Sequence, residues 1–239
     1  MLLLVMAVIF LATFIRSAFG FGEALVAVPL LALIMPIEVA APVAVLVSIT
    51  VALVAVVQDW RHVHFRSAGL LFISTCFGIP IGLWLLSSVP EQAVKTVLAI
   101  IIIVFSTFFL LNKSQVTLRT DRFASVFGFL AGILGGAYGM NGPPLVAYGT
   151  LRRWPPQQFR ATLQGYFLPA SIVVMSGYWV AGLWVSSVTR YYLLTLPVVI
   201  VAIFAGRAAN KRFNSHAFII CVHCGLVVVG AALLVQAYT

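Results

Sequence analysis

The chain has 239 residues, of which 63% are hydrophobic and 8% are charged, and its formal net charge is +9. A soluble domain is roughly 45 to 50% apolar and about 25% charged, so this composition excludes a soluble globular protein and predicts an integral membrane protein. The basic residues are spread over short loops, as expected for membrane topology, so the charge does not indicate nucleic-acid binding.

The apolar stretches have the length that a helix needs to cross roughly 30 Å of hydrocarbon at about 1.5 Å per residue. The sequence lacks the alternation of polar and apolar residues over about ten positions that marks the strands of an outer-membrane barrel. We therefore predict an all-α, polytopic bundle of membrane helices. The first stretch has neither a basic segment before it nor a small-residue cleavage site after it, so it is expected to stay as a helix.

The first half of the chain contains five predicted segments, at residues 1–19, 24–35, 39–58, 67–88 and 93–111. A break at 20–23 separates the first two, and Pro36 ends the second. The second segment is only about 18 Å long as a helix, well short of a bilayer. At least one of its ends should therefore lie at membrane depth.

The second half repeats this order after a polar linker, with segments at 123–139, 144–151, 160–183, 190–206 and 215–237. We divide the chain into a first membrane repeat (1–112), a linker (113–122) and a second membrane repeat (123–239). Four residues of the first segment and the glycine that follows it recur at half-chain spacing, which predicts two copies of one unit. Phe10, Leu11, Ala12, Ala18 and Gly20 correspond to Phe129, Leu130, Ala131, Ala137 and Gly139.

The basic loops favour ten segments that each reverse the chain. In that arrangement the loops at 59–66, 112–122, 152–159 and 207–214 share one side and hold ten of the fourteen basic residues. Counting each broken helix as one crossing would put basic loops on opposite sides, against the positive-inside tendency. We predict five plus five segments with both termini outside, and an odd number per unit makes the repeats inverted.

The two breaks are the predicted binding site. A helix broken inside lipid is tolerated only against protein or a watery cavity, because each unsatisfied backbone group costs several kcal/mol. The helix after each break presents free amide N–H groups and the positive end of its dipole, which bind anions. The alternative is that the glycines only allow tight packing, as we predict for Gly128, Gly132 and Gly136. The site residues predicted at the breaks are Gly20, Gly22, Glu23, Tyr138, Gly139, Asn141, Gly142 and Pro143.

Two arginines are candidate anion ligands. Arg16 and Arg160 each lie near the predicted cytoplasmic edge, where an arginine can also extend to the lipid headgroups, and for Arg16 both interpretations stay open. Arg160 is favoured because Gln164 lies one turn later on the same face. Glu23 would cap free N–H groups at a helix start, but its charge would compete with an anion for the same positive end.

Three stretches carry a family resemblance: FGFGEALVAVPLL at 19–31, GGAYGMNGPP at 135–144 and FRATL at 159–163. With them the whole chain resembles the TauE/SafE family of sulfite exporters. The resemblance implies export of sulfite or related organosulfur anions, driven by the proton motive force. It also implies about eight membrane helices, which agrees with ten segments if the short second segments are re-entrant. Glu23 stands where many relatives have a glycine-rich stretch, and this departure suggests proton coupling.

The sequence thus predicts a non-enzymatic secondary transporter in the cell's inner membrane, with a small anion, protons and the lipid bilayer as partners. No nucleotide-binding motif is present, and we expect no cofactor and no nucleic acid; association with further copies is left open. A passive anion channel is the first alternative, and a membrane enzyme acting on a lipid or thiol is the second. Cys221-Val-His-Cys224 and His62-Val-His64 have metal-like spacing, but we interpret them as packing and loop residues.

Overall fold

The computed structural model describes residues 1–59, 64–111, 118, 120–210 and 215–238. The described residues form ten α-helices and one short 3-10 helix, Asp121–Phe123, and contain no strand. The all-α prediction is confirmed. The helices are α1 (Leu2–Phe19), α2 (Glu23–Ala32), α3 (Ile37–Asp59), α4 (Phe65–Ser88), α5 (Glu91–Leu111), α6 (Ala124–Tyr138), α7 (Gly142–Leu151), α8 (Pro156–Val180), α9 (Ser186–Asn210) and α10 (Ser215–Tyr238).

Five helices of the described part are long and apolar enough to cross a membrane. They are Leu2–Phe19, Ile37–Val57, Arg66–Ser88, Glu91–Leu111 and Ser186–Ala209. Large apolar side chains such as Phe77, Trp84 and Phe204 are exposed on their surfaces, as expected where lipid replaces water. The membrane prediction is confirmed at this level, and the number of complete crossings stays a prediction.

Both predicted helix breaks are present. The residue after α1 is Gly20, with φ 90°, and the residue after α6 is Gly139, with φ 65°. These left-handed conformations favour glycine and end a helix by turning the chain away from its axis. The helices that follow, α2 and α7, have 10 residues each. At about 15 Å they are too short to cross a bilayer.

The long helices pack mainly across the two halves of the chain. The main neighbour of α1 is α9, that of α3 is α8, that of α4 is α6, and that of α5 is α10. Suppose that α1–α5 correspond in order to α6–α10. Swapping the two halves then turns the α1–α9 contact into the α6–α4 contact and the reverse. The α3–α8 and α5–α10 contacts are unchanged by the same swap. Each of these four contacts joins a helix of the first half of the chain to a helix of the second half.

A seam of glycines joins α6 to α4. A Cβ atom added at any of three α6 glycines would lie within 2.4 Å of a carbonyl oxygen of α4, closer than real contacts allow. The two backbones therefore touch directly, and the predicted packing role of these glycines is confirmed. The glycines are Gly128, Gly132 and Gly136, and the carbonyls belong to Leu71, Thr75 and Ile79.

Several predicted helix ends differ from the structure. The helix α8 begins at Pro156 rather than at 160, because proline is well suited to a first helical turn. The helix α9 ends at Asn210 rather than at 206, since the residues after 206 contain no glycine or proline to stop it. This extension places Arg207 in the last turn of a helix instead of in the predicted loop.

Candidate anion site at the two helix breaks

Arg16 lies at the junction of four helices. It belongs to the last turn of α1, is only 3% exposed, and forms an ion pair with Glu23 at the start of α2, which is 2% exposed. Its Nη1 also donates to Ser48 Oγ of α3 at 2.5 Å, and its Nη2 donates to Gln164 Oε1 of α8 at 2.9 Å. The guanidinium carbon lies 4.9 Å from the ring centre of Phe167. This burial excludes the alternative that Arg16 extends to the lipid headgroups.

Gln164 links the second half of the chain to the first break. Its Nε2 donates to the carbonyl oxygen of Gly20 at 2.8 Å, while its Oε1 accepts from Arg16. The Gly20 carbonyl is a backbone group at the end of α1, where helical partners run out. The amide of Gln164 therefore satisfies a group freed by the break and orients Arg16 at the same time.

A cavity of about 350 Å³ lies beside this cluster, and Arg16 and Gln164 of the cluster line it. Three arginines, Arg16, Arg160 and Arg207, line it, and no acidic side chain does so among the residues that the structure describes. The other lining residues are Ser17, Gly20, Val51, Ala55, Gln157, Gln164 and Ile203. The cavity, which we call the arginine cavity, therefore has a positive wall and room for a small anion with some of its water.

Gly20 is required beside Arg160. A Cβ atom at position 20 would lie 2.7 Å from Cγ of Arg160, and the backbone there has a φ of 90°. Both the left-handed conformation and the close approach of Arg160 thus favour a residue without a side chain. The sequence prediction grouped Gly20, Arg16, Arg160 and Gln164 in one site, and the structure brings all four to the arginine cavity.

Arg207 is a cavity residue that the sequence analysis missed. It was assigned to a basic loop because the predicted segment ended one residue earlier. Its position one turn after Ile203, which also lines the cavity, is the signal that could have found it. A helix continued without a breaker would have put both residues on one face.

A second, smaller cavity of about 20 Å³ lies between the two breaks. This break cavity has room for about one water molecule. Three buried polar atoms of residues that line it, Glu23 Oε1, Arg16 Nε and Asn141 Nδ2, have no hydrogen-bond partner among the described residues. Ser48, Phe105 and Phe167 also line it. Seven of the predicted site residues do so: Arg16, Gly22, Glu23, Gly139, Asn141, Gly142 and Pro143.

Tyr138 is the predicted site residue that the structure does not bring to either cavity. Its hydroxyl donates to the carbonyl oxygen of Val94 on α5 at 3.1 Å, and the side chain is buried. The residue that follows it, Gly139, lines the break cavity. The tyrosine therefore anchors the end of α6 against α5, and the backbone of the break faces the cavity.

A polar cluster ties the end of the linker to α4 and α7. Asp121 Oδ1 accepts from Ser67 Oγ at 2.9 Å and from the Tyr148 hydroxyl at 2.7 Å, and it pairs with Arg152 at 3.2 Å. Burial raises the pKa of the Asp121 carboxyl, but these two hydrogen bonds and the charge of Arg152 outweigh that effect, so its pKa lies below the ordinary value. The cluster therefore stays charged at neutral pH and fixes the far end of α7.

The metal-like motifs lie partly outside the described residues, since His62 and the side chain of Cys221 fall there. His64 contacts Ser67 Oγ through Nδ1 at 2.9 Å, next to the Asp121 cluster. His223 stacks on Phe109 with ring centres 4.2 Å apart. No group of three or more histidine, cysteine or acidic side chains that could hold a metal occurs in the described part of the chain.

Comparison with protein families gives one match over nearly the whole chain. The family model described as sulfite exporter TauE/SafE covers residues 5–233 of 239. The chain belongs to the TauE/SafE family. No curated protein and no solved structure matches the chain. Membership of TauE/SafE confirms the resemblance stated from the sequence and, with the apolar helices, a multi-pass protein of a membrane transporter family.

Proposed function

We propose that the chain is a secondary transporter that exports a small anion, sulfite or a related organosulfur anion, from the cytoplasm by alternating access. The observation that carries the proposal is the arginine cavity, a space of about 350 Å³ lined by three arginines and, among the described residues, by no acidic one. Arginine presents a planar fork of donors that can hold two oxygens of a sulfite or sulfonate at once. The family assignment supports the same class of substrate.

The cavity lies at the end of the bundle that the basic loops mark. Ala55 near the end of α3, Gln157 near the start of α8 and Arg207 near the end of α9 line it. All three helix ends adjoin loops that the positive-inside tendency assigns to the cytoplasm of a cell whose inner membrane holds the protein. The arginine cavity then receives its anion from the cytoplasm, as export requires.

Alternating access also needs two related halves. The matching left-handed glycines after α1 and α6, the equal lengths of α2 and α7, and the exchange of helix pairs between halves all support inverted repeats. In such folds the binding site lies at the repeat interface, at the ends of broken helices. Arg16 from the first half and Gln164 from the second meet at that place.

Glu23 supports coupling to protons. It lines the break cavity, and its Oε1 has no hydrogen-bond partner among the described residues. A buried carboxylate inside a membrane protein is expensive and marks a transport or proton site more often than a structural one. We therefore include protons among the transported species.

The test is transport by the purified protein in proteoliposomes, with sulfite, thiosulfate, sulfate and small sulfonates as the panel. At least one sulfur anion should move, and a pH gradient should drive it beyond equilibrium. Flux that a gradient cannot drive beyond equilibrium would indicate the passive channel. Absence of flux for every member of the panel would contradict the proposal.

A further inference from the structure

Arg16 separates the two cavities and borders both of them. On one side its Nη1 pairs with Glu23, which lines the break cavity. On the other side Arg16 lines the arginine cavity together with Arg160 and Arg207. An anion in the arginine cavity and the carboxylate of Glu23 would therefore share one buried guanidinium.

We propose that the anion and a proton bind together, the anion in the arginine cavity and the proton on Glu23, so that the protein is a proton–anion symporter and not an exchanger. This inference rests on the proposed function and gives the sign of its proton coupling. The step forms one O–H bond on the Glu23 carboxylate with a proton from solution, and no other bond changes.

The physical reason is repulsion between two negative charges that share Arg16. Glu23 and Arg16 are 2% and 3% exposed, so little water screens the interaction. When two negative groups share one site, protonation of one relieves the repulsion, and the carboxylate accepts a proton far more readily than a sulfonate. Anion binding thus favours neutral Glu23. By reciprocity, protonated Glu23 leaves the charge of Arg16 to the anion and strengthens its binding.

The other groups around the break cavity leave Glu23 and the anion as the two negative groups whose repulsion Arg16 mediates. Ser48 of α3, Asn141 just before α7 and Phe167 of α8 face the break cavity and carry no charge. Phe105 of α5 faces it too. The ring centre of Phe105 lies 5.8 Å from that of His223 of α10. On the far side of Arg16, the charges of Arg160 and Arg207 attract the anion, but these side chains are half-buried in an open cavity where solvent and salt screen them. Among the described residues that line either cavity, Glu23 is the one acidic group.

Symport changes which force drives export. A monoanion moving with one proton carries no net charge, whereas a dianion moving with one proton carries one negative charge outward. An inside-negative potential favours that step by about 2.3 kcal/mol per 100 mV. An acidic exterior, by contrast, opposes export and favours uptake, so symport differs from the export driven by the proton motive force that the family resemblance implies. The anion's charge therefore decides whether the membrane potential assists export.

The test measures anion binding to the full chain in detergent as a function of pH. The probes are thiosulfate and methanesulfonate, which keep their charge between about pH 8 and about pH 5, so any pH dependence belongs to the protein. The dissociation constant should fall at least about fivefold as the pH falls, the lower end of typical coupling between sites. Glu23→Gln should bind at least as tightly as the acidified wild type and show no pH dependence. The matched control Glu91→Gln, at the start of α5 and outside both cavities, should behave as the wild type.

A pH-sensitive dye in weak buffer gives a second readout that needs no variant. Addition of thiosulfate should cause proton uptake by the wild type and by Glu91→Gln, and none by Glu23→Gln. Proton release on binding, weaker binding at low pH, or binding without any proton exchange would each overturn symport while leaving an anion transporter. If neither probe, nor sulfite or sulfate, binds at any pH, the proposed function fails as well.

Discussion

Arg16 and Glu23 show what a helix break does to two charged residues. They are seven positions apart in the sequence, and in a continuous helix their side chains would lie two turns apart. The left-handed glycines at positions 20 and 22 fold the start of α2 back toward the end of α1, and the two side chains meet. The break thus creates the ion pair as well as the cavity.

Arg160 should contact the anion, and its replacement by lysine tests this at the scale of one residue. Arg160→Lys keeps the positive charge but removes the fork of donors. Anion binding should weaken by about 1 to 3 kcal/mol, the range for hydrogen bonds to charged groups, while thermal stability changes little. Isothermal titration calorimetry with thiosulfate measures the binding, and thermal unfolding of the same sample measures the stability.

The matched control is Arg190→Lys. Arg190 is exposed near the start of α9 and lines neither cavity, so its replacement should leave binding unchanged. If Arg160→Lys binds thiosulfate as tightly as the wild type, the arginine only anchors the protein at the cytoplasmic edge. The anion would then be held by Arg16, Arg207 and the backbone amides after the breaks.

At this scale the sequence predicts most of the residues that the structure brings to the two cavities, but not how their charges pair. Glycine and proline at the breaks mark the site, because few other residues fit a left-handed turn or a first helical turn. The partner of Arg16 could not be predicted, since the pairing depends on how far α2 folds back. Tyr138 was predicted from its position in the motif alone, and its hydroxyl instead reaches Val94.

At the scale of elements, the seam between α4 and α6 should be the place least tolerant of an added methyl group. In Gly132→Ala the new Cβ would lie 2.3 Å from the carbonyl oxygen of Thr75, a backbone atom that cannot move aside cheaply. The helices must separate, and overpacking of this kind costs about 1 to 3 kcal/mol or more. Thermal unfolding in detergent should show a clear loss of stability.

Gly69→Ala is the control for that variant. Gly69 lies in α4, one of the two helices of the seam, but nothing lies within 4 Å of the position of its Cβ. Alanine has a higher helix propensity, so this change should leave stability unchanged or raise it by up to about 1 kcal/mol. Equal effects of the two substitutions would mean that the backbones of α4 and α6 do not touch.

Helix positions could be predicted because apolar runs interrupted by glycine, proline and charge have few alternative interpretations in a membrane protein. The ends of α8 and α9 were predicted less well, since polar residues such as Gln157 and Arg207 lie within helices there. These residues face the arginine cavity instead of a loop. A polar residue that ends a membrane segment and one that lines a cavity give the same local pattern.

At the scale of the whole molecule, the inverted arrangement predicts the sidedness of two loops. Single cysteines introduced at positions 117 and 209, in a background without the native cysteines, should both react only with a reagent supplied from the cytoplasm. Position 209 lies in the last turn of α9, and position 117 falls outside the described residues. The reason is that the two positions lie in the basic stretches 112–122 and 207–214, which the positive-inside tendency assigns to the cytoplasm.

Right-side-out and inside-out vesicles with a membrane-impermeant maleimide provide the measurement. A cysteine introduced at position 183, between α8 and α9, serves as the control and should react only from the opposite side. Labelling of 117 and 209 from different faces would rule out the five-plus-five inverted topology. The division into repeats at 1–112 and 123–239 would then need another relation between them.

The packing of helices across the two halves could not be predicted from either half alone. The predicted repeat implies that the halves are alike, but similarity does not say whether each half packs with itself or with the other. Small residues on both helices allow this packing, because Gly78 and Gly82 of α4 approach the backbone of α6 as closely as the glycines of α6 approach the backbone of α4. The sequence contains the glycines of both α4 and α6, but only the fold shows that they pack against each other.

This exchange of partners has a consequence for biosynthesis. The ribosome delivers α1 to α5 before α6 to α10, yet α1, α3, α4 and α5 each have their main partner in the part made later. Until α6 is inserted, the groove of α4 at Gly78 and Gly82 has only lipid or the insertion machinery against it, and lipid tails fill a glycine groove less closely than a helix does. The first half of the polypeptide therefore lies in the membrane with these helix faces unpaired. They pair only when the helices of the second half have been inserted.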